Sequence, residues 1–327
     1  MAVAFFAHAA DPVRVLAPEH IAKDLSDIVG QYPNLQLITY ASTGEMANRI
    51  PECDGVIGEP DESMMKSAGK LRWIQARYAG MEGMVWLKPW QERGLVLTNA
   101  KIIMGPQLAD HAFALLLSLT RNMRFYTNAM ETGAFDRSSG LKLLDLRDKT
   151  MLIIGLGGAG AQIADRAKAF GMRVIALDVK DIPMMQSVDQ VGRPDELLSF
   201  LPGADVVMCA VPLTGATKHM LGAKEIAAMK PGAFIVNISR GGVIDTDALT
   251  QALESGHLGG AGLDVTEPEP LPANHPLWKL PNVIITPHMA GTSDGREPRT
   301  LTLIRDNIGR FAQGLPLKNV VDLEAGY

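Results

Sequence analysis

A chain of 327 residues that is 47% hydrophobic and 20% charged has an ordinary globular composition, with length enough for two domains that each bury a core. Its formal net charge of −5 offers no basic field, which argues against a nucleic-acid partner, and no apolar run reaches the length of a membrane span. Cys53 and Cys209 are the only cysteines; both lie in or beside apolar strand-like runs and read as buried thiols, so the expected location is the reducing cytoplasm.

Residues 1–10 superficially resemble a short signal segment but carry no basic n-region, and read as an N-terminal strand or lead-in. Short apolar strands then alternate with helical stretches. Strands are expected at 13–17, 35–40, 54–58, 72–76 and 95–98, and helices at 19–29, 44–49 and 62–68. That rhythm predicts a parallel sheet wrapped on both faces. Pro106, at a first helical position, starts a long helix over 105–124 whose centre is apolar nearly all round. His111 on this helix is read as a histidine without a nearby acid or metal-spaced partner, and so as structural rather than catalytic. From Thr150 the alternation resumes, with strands expected at 151–154, 173–177, 205–210, 233–238, 260–263 and 283–286 and a last helix at 294–313. The proline-rich stretch 268–272 reads as a rigid loop.

The most specific signal opens this second series. The apolar strand at 151–154 runs into Gly155-Leu156-Gly157-Gly158-Ala159-Gly160, a Gly-x-Gly-x-x-Gly loop at the start of a helix. The first glycine permits a tight turn, the second lets backbone approach a pyrophosphate, and the third lets helix and strand pack closely. Asp178, eighteen residues past Gly160, closes the next strand where a carboxylate would accept the hydroxyls of an adenosine ribose. Strand, turn, helix, strand and acid in this order point to a dinucleotide site. A carboxylate at this place attracts a free 2′-hydroxyl and repels a 2′-phosphate, so NAD is expected in preference to NADP.

Arg240, Glu269 and His288 each lie just beyond the carboxyl end of an expected strand in this series. In an open parallel sheet, ligands bind at that edge, which brings these distant residues towards one cleft. Hydride transfer to a carbonyl carbon needs a proton donor for the oxygen and a clamp that aims the carbon at the ring. A histidine suits the first task, and a neighbouring carboxylate favours its protonated form. An arginine suits the second, because its planar fork matches a substrate carboxylate. Singly, each of the three would be an ordinary loop residue; their joint placement behind the dinucleotide fingerprint gives them meaning.

These residues resemble the D-isomer-specific 2-hydroxyacid dehydrogenases, a family that includes glyoxylate/hydroxypyruvate reductases, phosphoglycerate dehydrogenases and NAD-sensing corepressors. The likeness covers nearly the whole chain. Its carriers are the glycine loop, Asn237-Ile238-Ser239-Arg240-Gly241, the stretch from Gly262 to Pro272 with His275-Pro276-Leu277-Trp278, and Pro287-His288 followed by Gly291-Thr292. The resemblance implies two doubly wound parallel-sheet α/β domains, a Rossmann cofactor domain (102–290) inserted into a flavodoxin-like substrate domain (1–101 with 291–327). Arg240 would bind the substrate carboxylate and His288 would be the acid/base, paired with Glu269. The family's acid immediately precedes the proline-leucine-proline turn, which selects Glu269 over Glu267. Asp264 would meet the nicotinamide carboxamide, and Val211 and Pro212 would line its ring. Ile238, Ser239, Arg240, His288 and Gly291 would complete the cofactor side, with Gly155, Gly157, Gly158, Ala159, Gly160 and Asp178 at the other end.

In the first domain the resemblance places a substrate loop at 77–83, where the backbone N–H groups of Ala79 and Gly80, with Arg240 and His288, would hold a small 2-keto or 2-hydroxy acid. Met81-Glu82-Gly83 departs here from the common apolar-Asp pair. Tyr78, Met81, Trp86, Arg296 and Arg299 are candidates for the side-chain pocket, each equally explained by packing or solvation. Domain closure would exclude water. The apolar helix with the arm at 125–148 suggests a homodimer; no metal is expected. An NAD-sensing regulatory protein of the same fold is the alternative. Formate oxidation is a third reading, but there the histidine's partner is an amide, and Glu269 argues against it.

Overall fold

The structure, a computed structural model, describes residues 12–135, 142–183 and 185–324. Residues 1–10, with the strand or lead-in expected there, lie outside the described residues. Two compact units divide the chain: described residues up to Ile103 and from Ser293 onward form one, and Met104–Thr292 the other.

The first unit is built on five parallel strands, β1 (Val13–Pro18), β2 (Leu35–Tyr40), β3 (Gly55–Ile57), β4 (Trp73–Gln75) and β5 (Val96–Thr98), in the order β2-β1-β3-β4-β5. This is the flavodoxin-like doubly wound order. One face packs on Met46, Met64, Leu87 and their neighbours, the other on the last helix, Arg296–Ala312, through Ile304 and Ile308. Gly55 makes room in the sheet: a Cβ there would lie 2.8 Å from the Trp73 ring, which tilts against Phe311 at 5.0 Å between centroids. The buried Asn307 is satisfied by Gln75 and by the Lys318 carbonyl, so it ties the chain's return to the sheet at no loss of hydrogen bonding.

The second unit carries seven parallel strands: β6 (Thr150–Ile154), β7 (Arg173–Leu177), β8 (Gln190–Gly192), β9 (Val206–Cys209), β10 (Phe234–Asn237), β11 (Gly260–Leu263) and β12 (Val283–Ile285). Their order is β12-β11-β10-β9-β6-β7-β8, with the reversal between β9 and β6. Strands β9, β10 and β11 are buried on both faces, which accounts for their apolar or small-residue runs, closed in β10 by the buried Asn237. Strand β8 was not expected; it is a three-residue strand at the sheet edge with Gln190 and Val191 exposed and only Gly192 buried, so no apolar run marks it.

The long helix is shorter than its apolar content implies. It runs Gly105–Thr120 and stops before Asn122, whose φ of 54° is left-handed; a separate helix, Met123–Glu131, then turns away. Asparagine tolerates that conformation better than other residues with a β-carbon, which makes it a stop signal inside an otherwise helical sequence. The helix Gly105–Thr120 lies close over β11, where a Cβ on Gly262 would come 2.8 Å from Leu115. Among the described residues, no helix is long and apolar enough to cross a membrane.

Candidate active site

Every strand pair in the seven-stranded sheet is parallel, so all carboxyl ends share one edge. Across that edge from β12 to β7, the departing loops carry His288, Glu269, Arg240, Val211 with Pro212, the glycine loop and Asp178, in that spatial order. The edge at a reversal of strand order is where doubly wound sheets bind ligands.

The three fingerprint glycines have different reasons. Gly155 has φ +93°, and a Cβ there would lie 2.6 Å from the Ala210 carbonyl at the end of β9. A Cβ on Gly160 would lie 1.9 Å from the Gly155 carbonyl. Gly157 has an ordinary φ of −74° and no atom within 4 Å of a built Cβ, so nothing in the chain itself requires glycine there. What a side chain would occupy is the open space over the first turn of the helix Gly158–Ala169. No side chain caps that turn, and Ala161 donates the first bond back to Gly157. The N–H groups of Gly158, Ala159 and Gly160 are therefore left for an anion, and the loop fits a pyrophosphate. Asp178 accepts the Leu156 N–H through one oxygen and the Lys180 N–H through the other, at 2.8 Å each, which fixes its carboxylate beside the glycine loop.

Asn237, fully buried at the end of β10, shapes the turn that presents Arg240. Its amide oxygen accepts from the Ser239 N–H and hydroxyl, and its amide nitrogen donates 2.9 Å to the Arg240 carbonyl. Ile238 and Ser239 are buried, 5% and 9% exposed. Arg240 donates 2.7 Å to the Ser239 carbonyl. Next to it, Gly241 abuts the following loop so closely that a Cβ would lie 2.0 Å from the Thr266 carbonyl. The arginine turn and the Glu269 loop are thus packed as one piece.

His288 Nδ1 lies 2.6 Å from Glu269 Oε1, and both side chains are close to half exposed. Glu269 also accepts the Thr266 N–H. The other ring nitrogen of His288 makes no bond among the described residues, so it is the one available to a substrate. Glu267, two residues before Glu269, pairs instead with His219 Nε2 at 2.5 Å, and its carbonyl accepts from Thr246. Two imidazole–carboxylate pairs therefore hold one loop, and the second was not read from the sequence because its members are 48 residues apart.

Asp264 is 2% exposed, and its carboxylate accepts the Thr286 hydroxyl at 2.6 Å and the Met289 and Ala290 N–H groups at 2.9 Å each. It thereby closes the turn on which His288 sits with a left-handed φ of 55°. The premise about His111 is corrected here. Its Nε2 lies 2.8 Å from the Thr286 hydroxyl and 3.4 Å from Asp264, an acid supplied by a strand 153 residues further on. Because the Thr286 proton goes to Asp264, His111 donates to Thr286 through an Nε2–H. Gly291 offers its carbonyl to Gln107, closing the same segment.

In the first unit, the loop after β4 is held through its carbonyls. Ala100 donates to Tyr78 and Asn99 to Ala79, at 2.9 and 2.7 Å, while Arg77 N–H is taken by Glu59. The N–H groups of Tyr78, Ala79 and Gly80 donate to nothing among the described residues and form a short run of open donors. Met81 is core, and Trp86 packs edge-on with Trp90. Arg299 is spent on the Ile103 carbonyl and Ser293.

Against known proteins, residues 113–290 match the family described as D-isomer specific 2-hydroxyacid dehydrogenase, NAD binding domain. A glyoxylate reductase of Korarchaeum cryptofilum is 35% identical over 84% of this chain and 85% of its own length. A D-3-phosphoglycerate dehydrogenase of Methanocaldococcus jannaschii is 31% identical over 95% of this chain, but the match spans 60% of that longer protein. The solved structure of a D-isomer specific 2-hydroxyacid dehydrogenase from Xanthobacter autotrophicus, complexed with NADPH, covers 97% of this chain and 100% of its own at 27% identity and a TM-score of 0.80. A D-lactate dehydrogenase of Lactobacillus jensenii, complexed with NAD+, covers 95% and 100% at 25% identity and a TM-score of 0.75.

Proposed function

The chain belongs to the D-isomer-specific 2-hydroxyacid dehydrogenase family, and from that premise we propose that it moves a hydride reversibly between NAD(H) and a small 2-keto or D-2-hydroxy acid. The observation that carries this reading is the His288–Glu269 pair at 2.6 Å on the same sheet edge as the open glycine loop.

The nicotinamide dinucleotide supplies the hydride; everything else falls to this chain's residues. With Nδ1 committed to Glu269, His288 presents Nε2 to the substrate oxygen. It gives a proton to the carbonyl oxygen during reduction and takes one from the hydroxyl during oxidation. Glu269 keeps the ring oriented and balances the imidazolium charge. Arg240 takes the substrate carboxylate and draws electron density from the carbonyl, the task for which a fixed guanidinium is suited. The open N–H groups of Ala79 and Gly80 are our candidates for further donors to that carboxylate. Gly158, Ala159 and Gly160 hold the pyrophosphate, and Asp178 accepts the ribose hydroxyls, which favours NAD over NADP. The exposed Met130 and Phe135, 79% and 91% accessible on or just after the helix Met123–Glu131, support a homodimer joined through this arm.

A steady-state assay with NADH over a panel of 2-keto acids tests the reading. His288→Ala is expected to lower kcat by about 10²–10⁴-fold while NADH still binds. Tight NADH binding with no turnover of any keto acid would instead indicate a regulatory dinucleotide sensor.

A further inference from the structure

Of Arg77, Arg296 and Arg299 in the first unit, two are already employed. Arg77 faces Glu59 at 4.0 Å, and Arg299 is bonded to the Ile103 carbonyl. Arg296, the first residue of the helix Arg296–Ala312, is different. Its guanidinium makes no hydrogen bond or ion pair among the described residues, and it rests over the ring of Tyr78 with the central carbon 5.9 Å from the ring centroid. Tyr78 is itself half exposed and immediately precedes Ala79. A guanidinium lying over an aromatic ring is attracted through its face, while its N–H donors stay in its own plane and free. The amino end of a 17-residue helix adds positive potential at the same place.

This is a partly buried cation without a counter-ion, steadied by an aromatic platform whose own N–H belongs to the run of open donors at 78–80. We propose that Arg296 on Tyr78 reads a second anionic group, so that the preferred substrate is a 2-keto acid with a distal carboxylate or phosphate. The inference rests on residues 78–80 receiving the first carboxylate, as in the function proposed above. A substrate with a hydrogen or methyl side chain leaves Arg296 unpaired; a second anionic group supplies its missing partner.

The test is initial-rate kinetics of the full chain with NADH on two matched pairs: oxaloacetate against 2-oxobutanoate, and phosphohydroxypyruvate against hydroxypyruvate. In one pair, the member that carries the second anionic group is expected to lead in kcat/KM by about 10- to 100-fold, the range for a charge-assisted hydrogen-bonded contact. The pair that shows it separates carboxylate from phosphate. Arg296→Gln should abolish the lead mainly through KM of that member, and Arg296→Lys should restore part of it. Turnover of keto acids by the unaltered protein without preference for either oxaloacetate or phosphohydroxypyruvate would overturn the inference and leave the dehydrogenase reading intact. Equal loss on both members of a pair in Arg296→Gln would also overturn it. Absence of turnover on all four would remove the dehydrogenase reading itself, and the inference with it.

Discussion

His288 occupies a left-handed backbone conformation that costs a residue with a β-carbon about 1–3 kcal/mol, and the surrounding bonds offset it. Its own N–H donates to the Asp264 carbonyl, while the Asp264 carboxylate takes the next two N–H groups and the Thr286 hydroxyl. Asp264→Asn would turn an amide NH2 towards one of those donors, with an expected loss of about 1–3 kcal/mol for the unpaired group. Thermal unfolding and kcat should fall together in this variant. His111→Gln keeps a donor for Thr286 and should stay nearer the unaltered protein than His111→Phe in both measurements. At the other end of the edge, Asp178→Ala should narrow the NAD/NADP preference; an unchanged kcat/KM ratio would mean that this carboxylate is not the discriminator. Burial pushes the Cys209 thiol up to about 12 and the Cys53 thiol up to about 11, so neither forms a thiolate near neutral pH. A thiol-specific reagent should leave both unmodified until the protein is unfolded.

The glycine loop separates two kinds of constraint within one element. At Gly160 a methyl group collides with the Gly155 carbonyl, so Gly160→Ala should lower stability by about 1–3 kcal/mol as an overpacked site does. At Gly157 the methyl meets no protein atom, so Gly157→Ala should leave the melting temperature nearly unchanged and weaken NADH binding. Fluorescence titration with NADH alongside thermal unfolding distinguishes the two. Strands β7 and β11 were legible in the sequence because buried parallel strands are short apolar runs with turn residues at their ends. The helix Gly105–Thr120 was legible in its start but not its end, since the left-handed turn at Asn122 interrupts a sequence that stays compatible with helix. The short helix Ala223–Ala228 and strand β8 escaped because each buries a single residue, Ile226 in the helix and Gly192 in the strand, and so neither leaves an apolar run to read.

For the whole molecule, acid stability follows from carboxylates held below their ordinary value of 3.8. The Lys168 ammonium does this for Asp189, while for Asp205 the upward push of burial is outweighed by Lys230 and the Thr150 N–H. Folded values below the unfolded ones mean stabilisation that is complete above about pH 4 and disappears as the pH falls through the lowered values. Unfolding monitored from pH 6 to pH 2 should therefore show the loss concentrated below about pH 4, and Lys230→Ala should reduce Asp205's share of it. Alternating apolar strands and helices, with glycines ahead of an acid, were enough to determine two parallel-sheet units and a dinucleotide loop, because local period and turn chemistry are properties of neighbouring residues. Pairings across long separations were decided only when the chain folded. His219 meets Glu267, His111 meets Thr286 and Asp264, and Arg296 rests on Tyr78, because strand order and helix docking set those distances and no local pattern encodes them.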